Sequence, residues 1–186
     1  WLICAAVVGG VCGLVGSAFH NCVALATQAR VQHGWLLYLL PAAGLVIVAS
    51  YRLCGMAHDR GTNLVILSIR TEQKAPIVMA PLIFLGTVLT HLCGGSSGRE
   101  GAALQIGGSV GTFLGRLFRF NEKDLHVMTM CGMAALFSAL FGTPVTAAVF
   151  SLEVISVGVL YYAAFLPCAL SALLAARIAA AFGIAP

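Results

Sequence analysis

The stretch Gly94-Gly95-Ser96-Ser97-Gly98-Arg99-Glu100-Gly101 decides how the chain is interpreted, because it places a polar, glycine-rich break between two apolar segments. Residues 75–93 before it and residues 102–115 after it contain no Asp, Glu, Lys or Arg. Irregular backbone at membrane depth is tolerated only where it is buried in protein or lines an aqueous cavity. Short hydrophobic segments interrupted by glycine or proline are also the sequence signal of a transporter binding site. The break therefore predicts a transport site between two helices.

The composition of the whole chain indicates an integral membrane protein. Its 186 residues are 60% hydrophobic and 9% charged, whereas a soluble domain carries about 25% charged residues. This excludes an ordinary soluble enzyme, a disordered segment and a fibrous chain. The ten Lys and Arg residues are scattered, so we expect a lipid bilayer and no nucleic acid as partner. The seven cysteines form no CxxC pair, so we expect them to pack as small apolar side chains, with no metal site and no cofactor.

The spacing of charges and breaks predicts an all-α integral membrane fold of broken and tilted helices. Residues 63–69 are apolar but too short to cross a bilayer, which needs about 20 residues. Gly107, Gly111 and Gly115 lie at helical spacing and predict a close helix–helix contact. Because the chain begins at Trp1 and ends just after an apolar run, we expect a piece of a longer protein. The predicted helices cover 3–29, 34–51, 76–93, 102–118, 125–140, 145–156 and 159–182.

Glu100 is the first candidate for a functional residue. A carboxylate at a helix N-terminus meets free backbone N–H groups and the positive end of the helix dipole, and those groups would also bind a small anion. Ionised Glu100 would occupy the anion site, and protonated Glu100 would swing out and admit the anion, which would couple proton and anion movement. The alternative is a solvated carboxylate in an interfacial loop, paired with Arg99.

Four further residues are weaker candidates. Thr62 and Asn63 are favourable N-cap residues. They either begin a helix whose N-terminus points toward the membrane centre or begin an interfacial helix. Glu153 lies in an apolar segment, where it is either a proton site or a structural carboxylate. His91, on an apolar helix, either forms a structural hydrogen bond or carries protons.

Two segments resemble the CLC family of chloride channels and anion/proton antiporters. Gly98-Arg99-Glu100-Gly101 and the following Ala102-Ala103-Leu104-Gln105-Ile106-Gly107-Gly108 resemble the family's GREGP and VQIGG segment. Phe141-Gly142-Thr143-Pro144-Val145 through Phe150-Ser151-Leu152-Glu153 resembles its FNAP helix pair. The resemblance covers nearly the whole chain and implies that residues 1–186 form the N-terminal half of a CLC-type transport domain, the first of its two inverted repeats.

Details of these segments resemble the bacterial fluoride-exporting, proton-coupled clade. Gly61-Thr62-Asn63-Leu64-Val65-Ile66 stands where the family has GSGIP, and Ala102 replaces the proline after GREG. The resemblance implies a multi-pass protein of the inner (plasma) membrane that forms a homodimer and transports fluoride or chloride together with H+. It makes Glu100 the gating glutamate, and it implies an anion path formed by Gly61, Thr62, Asn63, Gly98, Arg99, Gly101 and Ala102.

One departure from the family pattern leaves alternatives open. Many CLC antiporters have two adjacent glutamates in the later helix, and the second relays protons from the inside. Here Glu153 matches the first, and Val154 stands at the second position. A chloride channel or chloride/proton exchanger is therefore the first alternative to fluoride/proton antiport, and a membrane anchor or assembly subunit without transport is the second.

Overall fold

The computed structural model describes residues 1–56, 76–154 and 162–184, and every regular element in these ranges is a helix. The predicted all-α fold is therefore confirmed for the described part of the chain. The predicted apolar segment 63–69 and the residues Gly61, Thr62 and Asn63 lie outside the described residues. The helices are α1 (Leu2–Gln32), a 3-10 segment (Gly34–Leu39), α2 (Leu40–Leu53), α3 (Met79–Leu92), α4 (Arg99–Leu117), α5 (Glu122–Phe141), α6 (Pro144–Glu153) and α7 (Tyr162–Ala181).

The helices differ in length in the way the sequence predicts. Four segments of the described chain are long and apolar enough to cross a membrane, and they are Leu2–Gln32, Gly34–Leu53, Glu122–Phe141 and Tyr162–Ala181. The apolar helices α3 and α6 have 14 and 10 residues, which is shorter than the roughly 20 residues that a span needs. The described chain therefore combines helices that are long enough to cross a membrane with shorter ones, as expected for a fold of broken helices.

The breaks between helices have local causes. Gly142 ends α5 in the left-handed conformation, with φ 67°, and its N–H donates to the carbonyl oxygen of Ser138 at 2.8 Å. Glycine adopts this conformation without the strain that a Cβ would cause. Pro144 then begins α6, where its missing N–H is not needed.

Helix α5 lies at the centre of the described structure and packs against α1, α4, α6 and α7. Its contact with α4 is close because glycines meet: a Cβ on Gly107 would collide with the carbonyl oxygen of Gly132, and a Cβ on Gly111 with that of Met128. The hydroxyl oxygens of Thr112 and Thr129 lie 2.8 Å apart across the same contact. The close contact predicted from the glycine spacing is confirmed.

Polar side chains and cysteines join α5 to α7. Ser138 Oγ donates to the carbonyl oxygen of Ala172 at 2.8 Å, and Ser171 Oγ donates to that of Cys131 at 3.1 Å. The sulfur atoms of Cys131 and Cys168 lie 3.8 Å apart. All seven cysteines are free thiols, and Cys12, Cys93, Cys131 and Cys168 are buried. The buried thiols fill space between helices, as the sequence predicts.

Candidate functional site

The polar break folds into a turn that presents the start of α4. Gly98 is the N-cap residue, with extended backbone angles (φ −64°, ψ 131°), and no side chain caps the helix. The first N–H groups of a helix have no partner within the helix itself. The first turn of α4 therefore offers backbone donors and a positive dipole end to a ligand.

Glu100 belongs to this first turn. Helix α4 begins at Arg99, three residues before the predicted start at 102, so the carboxylate lies within the helix rather than ahead of it. Arg99 and Glu100 are both exposed. Within the described residues no ion pair joins Glu100 to Arg99, which leaves the carboxyl group without the partner that the interfacial-loop alternative assigns to it.

His20 is a neighbour of this turn that the sequence patterns do not indicate. It lies in α1, which packs against α4, and the charge of Arg99 acts on its imidazole ring. Its Nδ1 atom is buried and has no hydrogen-bond partner in the described ranges. The sequence shows only that a histidine stands inside an apolar helix, and no local pattern relates this histidine to Arg99.

A cavity of about 310 Å³ opens beside the start of α4. It lies between α2, α3 and α4, and the predicted path residues Gly98, Gly101 and Ala102 line it. Its polar lining comes from Tyr51, Thr87 and Thr90, which are distant in sequence from Glu100, and from the nearby Ser97 and Gln105. The structure thus brings three predicted path residues together with the hydroxyl groups of Tyr51, Thr87 and Thr90, which lie outside the motifs.

Comparison with known proteins identifies the family of the chain that carries this site. The family model described as voltage gated chloride channel matches residues 43–185. The chain belongs to the voltage-gated chloride channel family. The predicted family membership is therefore confirmed, and with it the assignment to a family of membrane proteins.

The relatives within the voltage-gated chloride channel family include both chloride and fluoride proteins. A chloride/fluoride channel protein of Pseudomonas syringae pv. tomato is 39% identical over 185 residues, which are 99% of this chain and 41% of that protein. The H(+)/Cl(-) exchange transporter ClcA of Citrobacter koseri is 32% identical over 167 residues, covering 82% of this chain and 35% of that protein. The chain thus spans less than half the length of these relatives.

Two solved structures have a fold similar to that of this chain. A crystal structure of a CLC-type fluoride/proton antiporter matches with a TM-score of 0.92 and 34% identity, over 99% of this chain and 47% of that one. A slow cyanobacterial Cl−/H+ antiporter matches over the same shares of the two chains with a TM-score of 0.76 and 20% identity, which shows the fold alone. The chain therefore has the helix arrangement of part of the CLC fold.

His91, one of the two secondary candidates, is held within its own helix. It lies in the last turn of α3, and its Nδ1 atom is 2.8 Å from the carbonyl oxygen of Thr87. Because a carbonyl oxygen only accepts, this bond requires that Nδ1 carry the hydrogen. The contact favours the structural role of His91 over proton transfer.

Glu153, the other secondary candidate, lies apart from the helices that form the cavity. It is the last residue of α6, and the described neighbours of α6 are α5 and α7. Val154 follows it as the C-cap residue and is half-buried. The structure therefore groups Gly98, Glu100 and Gly101 at one helix start and places Glu153 on a different set of helices.

Proposed function

We propose that the protein to which this chain belongs exports fluoride by fluoride/proton antiport and that Glu100 is its gate. The observation that carries the proposal is the position of Glu100, exposed in the first turn of a helix that no side chain caps. The structural similarity of the chain to a CLC-type fluoride/proton antiporter, with a TM-score of 0.92, supports fluoride as the anion. The gate, the anion and the coupling are all part of the proposal.

The exchange rests on competition for one set of donors. Ionised Glu100 places its carboxylate on the free N–H groups of the first turn, where the helix dipole favours negative charge. A protonated carboxyl group loses most of this attraction and swings away, so a fluoride ion takes its place. Each anion that binds then requires a proton on Glu100, and this requirement couples the two fluxes.

Neutral donors suit an anion that must also leave. A buried full positive charge would hold fluoride strongly, whereas backbone N–H and hydroxyl groups provide hydrogen bonds without a net charge. Fluoride is small and strongly hydrated, so donors must replace its water as it binds. Thr62 and Asn63 lie outside the described residues and are predicted to form the inner part of the anion path. They would supply such donors there.

A channel is the second candidate, and Val154 is the observation that favours it. The apolar side chain of Val154 at the end of α6 does not carry protons, so the internal relay of many CLC antiporters has no counterpart at this position. The relative from Pseudomonas syringae is itself called a chloride/fluoride channel protein. In an antiporter with Val154, protons must reach Glu100 by another route.

The proposal extends to the whole protein. A second inverted repeat would supply the other helix N-termini around the anion, since this chain spans 47% of the fluoride/proton antiporter that it matches. We further propose a homodimer in the inner membrane of a bacterium that needs protection from fluoride. No enzymatic activity and no cofactor belong to this proposal.

Anion release from liposomes tests the choice of ion. The full-length protein is reconstituted into liposomes loaded with equal concentrations of fluoride and chloride, and ion-selective electrodes record both effluxes. We expect fluoride efflux to exceed chloride efflux by at least tenfold, which corresponds to about 1.4 kcal/mol of discrimination. Faster chloride efflux would contradict fluoride export and favour the chloride alternative, and no efflux of either ion would favour an anchor.

A further inference from the structure

The turn between α4 and α5 carries three exposed basic side chains. Arg116 lies in the last turn of α4, Arg119 follows that helix, and Lys123 lies in the first turn of α5. None of the three forms an ion pair with a described residue. The acidic residues beside them, Glu122 and Asp124, lie in the first turn of α5, where the helix dipole favours negative charge. The turn therefore presents three positive charges that pair with no described carboxylate.

Arg119 has a backbone conformation that suits glycine. Its φ is 57°, and it is the one described residue other than glycine with a positive φ. The described glycines with a positive φ are Gly55, Gly94, Gly142 and Gly183. The N–H of Phe120 donates to the carbonyl oxygen of Gly115 at 3.1 Å, which ends α4 in the arrangement that favours glycine at position 119. A Cβ is strained there, and the Arg119 side chain forms no hydrogen bond with a described residue to offset the strain. Strained backbone is common at binding sites, so the conformation indicates a use for the guanidinium group.

Aromatic rings flank this arginine and continue to the start of α1. The ring centroids of Phe118 and Phe120 lie 6.1 Å apart, and the ring of Trp1 lies 5.9 Å from that of Phe120. Both phenylalanines pack against the core. Helices α1 and α5, which are long enough to cross a membrane, both begin here. Tryptophan and basic residues concentrate where spanning helices meet lipid headgroups, so the turn has the composition of a membrane surface.

We propose that the turn between α4 and α5 binds the headgroup of an anionic phospholipid, with Arg119 as its central contact. A guanidinium group matches a phosphate with two parallel hydrogen bonds, and an ammonium group adds a point charge. Arg116 and Arg119 supply the guanidinium groups, and Lys123 supplies the ammonium group. The rings of Trp1 and Phe120 adjoin these charges and suit the acyl part of the lipid, which a free phosphate lacks. The inference does not depend on which ion the protein transports.

The substitution Arg119→Gly tests the site, since glycine removes the guanidinium group and also the strain. The full-length protein in detergent is titrated with phosphatidylglycerol, and native mass spectrometry counts the lipid bound to the wild type and to the variant. We expect the apparent affinity to fall about fivefold, which corresponds to the roughly 1 kcal/mol that one basic side chain contributes at an anionic surface. The apparent Tm in phosphatidylcholine should equal or exceed that of the wild type, because glycine adopts the left-handed conformation without strain.

Two variants separate the site from a general attraction between charges. Arg119→Lys keeps a positive charge at the turn and should keep most of the affinity. Arg177→Gln removes an exposed basic side chain from α7 and should leave the affinity unchanged. The neighbours of Arg177 in α7 pack on Gly13, which lies about 18 Å along α1 from Trp1. An unchanged affinity in Arg119→Gly, or an equal loss in Arg177→Gln, would overturn the site.

A second position keeps the test decisive if Arg119→Gly fails to fold. Lys123 is exposed in the first turn of α5, so Lys123→Gln removes its charge and leaves the backbone conformation as it is. The affinity of this variant for phosphatidylglycerol should fall about threefold, since an exposed charge is partly screened by salt. An unchanged affinity would overturn the site.

Inorganic phosphate distinguishes a lipid from its headgroup chemistry alone. Phosphatidylglycerol should raise the apparent Tm of the wild type, because a ligand that binds the folded state stabilises it. Sodium phosphate at the same concentration should leave the Tm unchanged, since it lacks acyl chains for the aromatic rings to contact. An equal rise with both would overturn the lipid as the occupant. Fluoride and chloride efflux have no bearing on this outcome, so the site and the proposed function fail separately.

Discussion

At the scale of single residues, Glu100 and Glu153 are the two acidic side chains within the apolar segments, and the structure gives them different surroundings. Glu100 is exposed at an uncapped helix start beside a polar cavity. Glu153 is half-buried at the end of α6, between helices that do not line that cavity. An ionisable side chain in a membrane segment is costly and is commonly functional, but only Glu100 lies where an anion would find free backbone donors.

This contrast predicts the outcome of Glu153→Gln. Glutamine keeps the shape of the side chain and removes the titrating group. The substitution therefore has a small effect if the carboxylate is structural, and it abolishes proton transfer if the carboxylate is a proton relay. We expect the ratio of protons to fluoride ions exchanged to remain at the wild-type value, as measured with a pH electrode and a fluoride electrode on the same liposomes. Loss of proton movement with continued fluoride efflux would show that Glu153 carries protons.

At the scale of helices, the contact between α4 and α5 fixes the position of the site. Gly107, Gly111 and Gly132 allow the two backbones to touch, and the close approach sets where α4 begins relative to the core. Gly132 is the tightest point, because a Cβ there would collide with the carbonyl oxygen of Gly107 and with Cα of Gly111. Backbone atoms on both sides cannot move without shifting a helix.

The substitution Gly132→Ala should therefore destabilise the protein. Overpacking a close contact costs about 1–3 kcal/mol, and we expect the apparent Tm in detergent to fall by about 5 °C. The matched control is Gly44→Ala in α2, where a Cβ would meet nothing within 4 Å and alanine favours the helix. Thermal scans by circular dichroism compare the two variants, and an equal Tm in both would contradict the close contact.

The helix boundaries show what a single sequence predicts well and where local chemistry changes the result. The glycine spacing at 107, 111 and 115 predicts the close helix contact, because small residues at that spacing have one common use in apolar helices. The start of α5 was predicted at 125 and lies at Glu122, because Asn121 caps it by accepting from the N–H of Asp124 at 2.9 Å. Hydropathy assigns charged residues to loops, whereas the cap makes them the first turn of a helix.

The cavity could not be predicted from the sequence. Its polar residues come from α2, α3, the following turn and α4, and Tyr51, Thr87 and Thr90 lie outside the motif around Glu100. Their proximity depends on how three helices pack, which local patterns do not encode. The same is true of His20, whose imidazole ring experiences the charge of Arg99 because α1 packs against α4.

At the scale of the whole molecule, the outer surface of the described helices requires an apolar neighbour. Helix α2 and the preceding 3-10 segment expose large side chains, including Tyr38 at 85% and Leu45 at 73%. Water would not solvate so much apolar surface without cost, which agrees with membership of a family of membrane proteins. The chain also spans less than half of its relatives, so we propose that a second repeat faces the start of α4 and completes the anion site.

Proton coupling in liposomes tests the central claim, that Glu100 links the two fluxes. The full-length protein is reconstituted with fluoride inside, and a pH electrode records proton uptake as fluoride leaves. The wild type should take up protons, and Glu100→Gln should abolish this uptake because glutamine does not titrate. The matched control is Glu122→Gln, an exposed acidic residue in the first turn of α5, which should keep the wild-type ratio. Proton uptake by Glu100→Gln at the wild-type ratio would contradict the assignment of Glu100 as the gate.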